Sequence, residues 1–295
     1  MQQGSHTTLI DGRAQAFHVH GHGPTCVVHP GGPGADWSYI RLPALEQQCT
    51  VVYLEPLGTG ASFRLADPAG YTLARYARQL DQFIEHLGVG PVHVLGHSHG
   101  GWVALTLAVE HPDTIAGLVL LNTAGRAGDD WLNELMGGLT RFAGQHSDRP
   151  DITDVLAAFQ EEAAATTDDE LTALYRREFP VFFADYWSRE EEFRPIRESA
   201  RRFAGPNESF GDTLATYDLR DQLPAIDIPT LVIAGRHDVF SSPRFSEELH
   251  QALPLSELLI LERSGHFSPV EEPQVIAAAV TRFVTQPRHA DTRRG

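Results

Sequence analysis

The sequence predicts an α/β protein with a mostly parallel central sheet, helices on both of its faces, and an inserted all-helical segment. Three observations predict it. Short apolar runs rich in β-branched residues alternate with longer stretches of helical periodicity. The runs are nearly continuous in apolar character, as strands buried on both faces require. From about Arg126 to about Asp218 the strand-like runs stop and only amphipathic helical patterns remain.

In chain order, residues 7–22 read as a hairpin, with Asp11-Gly12 turning between TTLI and the alternating FHVHGH stretch. The runs TCVVH (25–29), TVVYLE (50–55), VHVLG (92–96), GLVLLN (117–122), TLVIAG (230–235) and SELLILE (256–262) read as buried strands. Between them, YTLARYARQLDQFIEHLG has apolar residues at helical spacing and stops at Gly88, and GWVALTLAVEHP stops at Pro112. The helical insertion, with TDVLAAFQEEAAA and DELTALYRREFPVFFADYW, is expected to form a cap over the carboxyl edge of the sheet, where open α/β sheets hold their ligands. The expected organisation is a core of residues 1–125 and 219–295 and a cap of residues 126–218. The tail after Gln286 is polar and expected to fray.

Composition narrows the chemistry. At 295 residues and 42% hydrophobic, with no run of ~18 uncharged apolar residues, the chain is expected to be soluble and to bury a large core. Its net charge of −16 opposes nucleic acid and anionic membranes, so a small molecule or short peptide is the expected partner. All 23 basic residues are Arg, which excludes Schiff-base lysines, lysine general bases and P-loops. No cofactor or metal is called for. Cys26 and Cys49 each open an apolar run and read as buried free thiols, and MQQGSHTT has neither a basic nor an apolar leader region, which makes the cytoplasm the expected location.

The chemistry concentrates at Gly96-His97-Ser98-His99-Gly100-Gly101, between the strand VHVL and the helix GWVALTLAV. A Gly-x-Ser-x-Gly turn from strand to helix needs small residues two before and two after the serine, and leaves the serine exposed. A serine hydroxyl needs an imidazole to take its proton and an acid to orient that imidazole. Asp238, just after TLVIAG, and His266, just after SELLILE, follow at the carboxyl ends of later strands. Asp218, Asp221 and Asp227 precede TLVIAG and are expected at its far end. For the oxyanion, the N–H of His99 is one expected donor, and the rigid Gly-rich loop His29-Pro30-Gly31-Gly32-Pro33-Gly34 is expected to supply the second.

With these motifs in place, the chain resembles the α/β-hydrolase superfamily and, within it, the proline iminopeptidase group of serine peptidases. The likeness covers roughly 15–125 and 215–285 and rests on PGGPG at 30–34, GTGAS at 58–62, GHSHGG at 96–101, GRHD at 235–238 and SGH at 264–266. It implies Ser98, Asp238 and His266 as the triad and Gly32 and His99 as the oxyanion donors. Pro30 stands where that group has histidine, and Glu55 where it has aspartate. The group's Trp- and Glu-rich cap signature for a substrate's free amine is not recognisable. Candidate cap acids are Glu161, Glu162, Glu178, Glu190, Glu191 and Glu192, and Phe179, Phe182, Phe183, Tyr186 and Trp187 could line a pocket or simply pack. His18, His20 and His22 share a strand face without ligand-spaced partners. The resemblance implies release of an N-terminal residue from small peptides. Esterase, lactonase or C–C bond hydrolase chemistry is the alternative, and a non-catalytic or lyase-like protein a third.

Overall fold

A computed structural model describes residues 1–286, and the polar tail beyond them lies outside the described residues. One eight-stranded sheet is built from β1 (Gly4–Ile10), β2 (Arg13–Gly21), β3 (Thr25–His29), β4 (Thr50–Leu54), β5 (Val92–His97), β6 (Ile115–Leu121), β7 (Thr230–Gly235) and β8 (Ser256–Leu261), in the order β1-β2-β4-β3-β5-β6-β7-β8. The β1–β2 hairpin turns through Asp11 and Gly12, at φ 50° and 73°. β2 also runs antiparallel to β4. Every later pairing is parallel. The expected strands are all present. β6 ends at Leu121 because Asn122 turns to φ 48°, outside the extended region.

The order of the strands positions the site. From β3 the chain passes to β4 on one side, then crosses to β5 on the other. The loops after β3 and β5 therefore diverge and open a crevice at the carboxyl edge. Side chains alternate between the two faces along each strand. Val27, Val52 and Val94 face the helices Leu73–Leu87 and His99–Glu110, while Val28, Val51 and Leu95 face the helix Pro273–Thr285. Each Leu, Ile or Phe buried this way stabilises the fold by about 1.5–3 kcal/mol. The helix Leu73–Leu87 is capped by the Thr72 side chain and ends on Gly88 at φ 64°, as its sequence predicts.

Between β6 and β7 the chain forms helices at Asp129–Gln145, Ile152–Glu161, Asp168–Glu178, Glu190–Ser199 and Phe210–Thr216, among shorter turns. The neck is stitched where the Ala127 N–H donates to the Tyr217 carbonyl at 2.9 Å and the Leu219 N–H to the Gly125 carbonyl at 2.9 Å. A reciprocal capping box between Thr167 and Glu170 starts the helix Asp168–Glu178, and Pro180 follows its end. Tyr175 and Glu178 lie one turn apart on its inner face, both buried. This segment also docks beside β3: the Phe203 N–H donates to the Gly34 carbonyl at 2.8 Å, and the Asp36 N–H to the Arg201 carbonyl at 3.0 Å. Cys26 and Cys49 are both free and buried. No described helix is long and apolar enough to cross a membrane.

Candidate active site

Ser98 is the hinge between β5 and the helix His99–Glu110, at φ 53° and ψ −121°. A non-glycine residue held there costs on the order of 1–3 kcal/mol, which the surrounding contacts must offset. A Cβ at Gly96 would lie 2.3 Å from the Gly100 carbonyl oxygen, and one at Gly100 would lie 2.2 Å from that of His29. The glycines of the motif are thus demanded by space. The Ser98 N–H donates to the Leu121 carbonyl at 2.9 Å, and the Thr123 hydroxyl donates to the Ser98 carbonyl at 2.8 Å. The serine sits at the amino end of a twelve-residue helix, where the peptide dipoles favour negative charge.

The loops after β7 and β8 bring Asp238 and His266 together. Asp238 Oδ2 and Oδ1 lie 2.9 and 3.0 Å from His266 Nδ1. Oδ1 also accepts from the Phe240 N–H at 2.8 Å and the Ser241 N–H at 3.0 Å, and Oδ2 from Asn122 Nδ2 at 2.8 Å. A carboxylate accepting this many donors is held in one orientation as an acceptor, so Nδ1 carries the imidazole proton and Nε2 is left as the basic nitrogen.

The His266 loop is clamped from behind. Glu271 accepts from the Gly265 N–H at 2.6 Å and, through its other oxygen, from the Ala184 N–H of the inserted segment at 2.9 Å. Burial pushes its carboxyl up to about 7 despite these donors. The Phe267 N–H donates to the Phe182 carbonyl at 2.8 Å.

Ser98, His266, Gly32 and His99 line one cavity of about 310 Å³. His99 is among its walls, and burial holds that imidazole at about 3. Leu132, Leu135, Met136 and Leu139, from the helix Asp129–Gln145, form an apolar side with Phe159 and Phe240. Glu162, Glu178 and Arg202 form a polar end. Arg202 pairs with Glu162 and donates to Asn207 at 2.9 Å. Glu178 is fully buried, and among the described residues neither of its oxygens receives a hydrogen bond. Burial, then the nearby Glu162 carboxylate, pushes its carboxyl well above the ordinary range, which favours the protonated form.

The structure sorts the other candidates. Asp218, Asp221 and Asp227 are exposed, and Asp218 is engaged by Arg220. Glu161, Glu190, Glu191 and Glu192 pair with Arg177, Arg197, Arg194 and Arg189 at the surface. Of the five cap aromatics only Phe182 lines the cavity, while Phe179, Phe183 and Tyr186 pack in the core and Trp187 donates to Asp151 at 3.1 Å. His18 stacks on Trp37 at 4.1 Å and bonds Glu55 at 2.9 Å. Among the described residues no cluster of three or more His, Cys, Asp or Glu could hold a metal. Sequence reasoning missed Asn122, Glu271, Tyr39 and His97. The polar residue closing the run GLVLLN was the one available signal for Asn122.

A model of the alpha/beta hydrolase fold matches residues 24–273. The chain belongs to the alpha/beta hydrolase family. It is 27% identical over 279 residues to a proline iminopeptidase of Heyndrickxia coagulans, covering 92% of this chain and 93% of that one. It is 30% identical over 256 residues to a putative carbamate hydrolase, RutD, of Cronobacter turicensis, covering 83% and 84%. Among solved structures it resembles an enol-lactonase of Burkholderia xenovorans LB400 at 25% identity and a TM-score of 0.73, covering 95% and 100%. Hydrolase chemistry is common to all three names, and the substrates differ.

Proposed function

We propose that this alpha/beta hydrolase is a serine hydrolase that works through an acyl-enzyme and releases an N-terminal residue from short peptides. The observation that carries the reading is the Asp238–His266 pair, fixed in the tautomer that leaves Nε2 basic, in the same cavity as a serine held on a strained elbow. Ser98 Oγ attacks the scissile carbonyl as His266 Nε2 takes its proton, and Asp238 stabilises the imidazolium. The N–H groups of Gly32 and His99 stabilise the oxyanion. His266 returns the proton to the leaving amine, and water, activated by the same nitrogen, then cleaves the acyl-enzyme.

The polar end of the cavity supports an amine-bearing substrate. Glu162 and Glu178 present two carboxylates to one guanidinium, a deficit of one positive charge that a proton fills and a substrate ammonium could fill instead. The proline iminopeptidase relative is consistent with this. The apolar side of the cavity favours a second reading, in which the same residues open a small apolar ester or lactone. Aryl amides of proline, alanine and leucine, their N-acetylated forms, and short-chain aryl esters and lactones separate the two. Cleavage of the free-amine amides and not the acetylated ones supports the peptidase reading. Turnover of esters or lactones with none on any aminoacyl amide overturns it.

A further inference from the structure

We infer that Tyr39 and His97 form a positioning relay that ties the oxyanion loop to the backbone of His266, so that oxyanion donors and general base are held in register; this rests on the serine hydrolase reading above. The relay is continuous. The Gly31 N–H donates to Tyr39 Oη at 2.7 Å, Tyr39 Oη lies 2.7 Å from His97 Nδ1, and His97 Nε2 lies 2.9 Å from the His266 carbonyl oxygen.

Its protons have one arrangement. A carbonyl oxygen only accepts, so His97 Nε2 carries the hydrogen. A neutral imidazole has only one, so Nδ1 accepts, and the Tyr39 hydroxyl must be the donor to it. The hydroxyl oxygen is then free to accept from Gly31. Burial, and then the neighbouring His266 ring, hold His97 well below its ordinary titration range, consistent with the neutral form this pattern needs. His97 is 1% exposed, and its ring centroid is 4.8 Å from that of His266.

The relay spans three loops that carry different parts of the machinery. Gly31 precedes Gly32 after β3, His97 precedes Ser98 at the end of β5, and His266 follows β8. Asp238 fixes the imidazole of His266 by its ring, and His97 fixes the same residue by its carbonyl, so the general base is held from two sides. Packing reinforces the geometry: Tyr39 stacks on Phe267 at 4.7 Å, and a Cβ at Gly31 would come within 3.0 Å of His97 Nδ1, Ser98 Cβ and Tyr39 Oη. A small misalignment of a base or an oxyanion donor costs rate without requiring any loss of affinity.

The test is the second-order rate at which a fluorophosphonate labels Ser98, followed by intact mass, with thermal melts run alongside. Tyr39→Phe deletes only the hydroxyl, and His97→Phe removes both contacts while keeping ring volume. Both are expected to label roughly 10- to 100-fold more slowly than wild type at a temperature well below their melting points. His97→Gln, whose amide N–H reaches the position of Nε2, is expected to recover to within a few-fold of wild type. Parental labelling rates in folded Tyr39→Phe and His97→Phe overturn the relay while leaving the proposed function intact. So does a His97→Gln rate no better than that of His97→Phe, which would mean bulk packing alone. Absence of wild-type labelling at Ser98 instead overturns the serine hydrolase reading on which the relay rests.

Discussion

Asn122 Nδ2 donates at 2.8 Å to Asp238 Oδ2, the oxygen that also lies 2.9 Å from His266 Nδ1, while its own carbonyl oxygen accepts from the Ser268 hydroxyl at 2.5 Å. The Asp238 carboxylate is therefore held both by the Phe240 and Ser241 N–H groups of its own loop and by Asn122 after β6, which Ser268 after β8 holds in turn. Replacing Asp238 with Asn should preserve this shape yet favour the wrong His266 tautomer. A kcat loss of up to about 10⁴-fold is expected with little change in melting temperature. Asp218→Asn, Asp221→Asn and Asp227→Asn should stay within a few-fold of wild type. The four kcat values decide between the acids.

Ser98 and His266 should fail as one unit. Each alanine variant is expected to lose several orders of magnitude in kcat, and the double variant to be no worse than either, because the nucleophile is inert without its base. Multiplicative losses in the double variant would show that one of the two acts elsewhere.

What the sequence made legible follows from local constraints. The elbow could be read because steric demand at Gly96 and Gly100 leaves almost no alternative to glycine, and central strands such as β6 and β7 because they are buried on both faces. Glu178 was indistinguishable in the sequence from Glu161 or Glu190: all lie on charged amphipathic helices, and only tertiary packing turns one inward. Tyr39 and His97 were hidden for a related reason, since their partners lie 8 to 169 residues away.

Glu178→Gln should raise stability in a pH-dependent way. The unfolded carboxyl titrates near 4.5 and the folded one well above it, so the native chain keeps a proton that the unfolded chain has released. This group's contribution is full below about pH 4.5 and is lost as pH rises through the folded value. Glutamine carries no such proton, so the variant's advantage should grow across that window, to a few °C in melting temperature. If the polar end binds an ammonium, the same variant should raise KM for aminoacyl amides about tenfold or more with a smaller effect on kcat. Melts from pH 4 to 9 and the KM values test both.

The elbow predicts a contrast between two glycines. Gly100→Ala would place a methyl 2.2 Å from the His29 carbonyl oxygen and should cost about 3 kcal/mol or prevent folding. Gly144→Ala, in the helix Asp129–Gln145 with open space around it, should be neutral or stabilising by up to about 1 kcal/mol. Denaturant unfolding of the two variants measures the difference.

The central claim is that Ser98 is the residue His266 activates for attack. It is tested most directly by exposing wild type, Ser98→Ala and His266→Ala to a fluorophosphonate and locating the adduct by intact mass and peptide mapping. The expected result is a single adduct on Ser98 in wild type, none in Ser98→Ala, and labelling slowed by at least about 10³-fold in His266→Ala. An adduct of wild-type rate in either variant, or one mapped to another residue of the wild-type chain, would contradict the account.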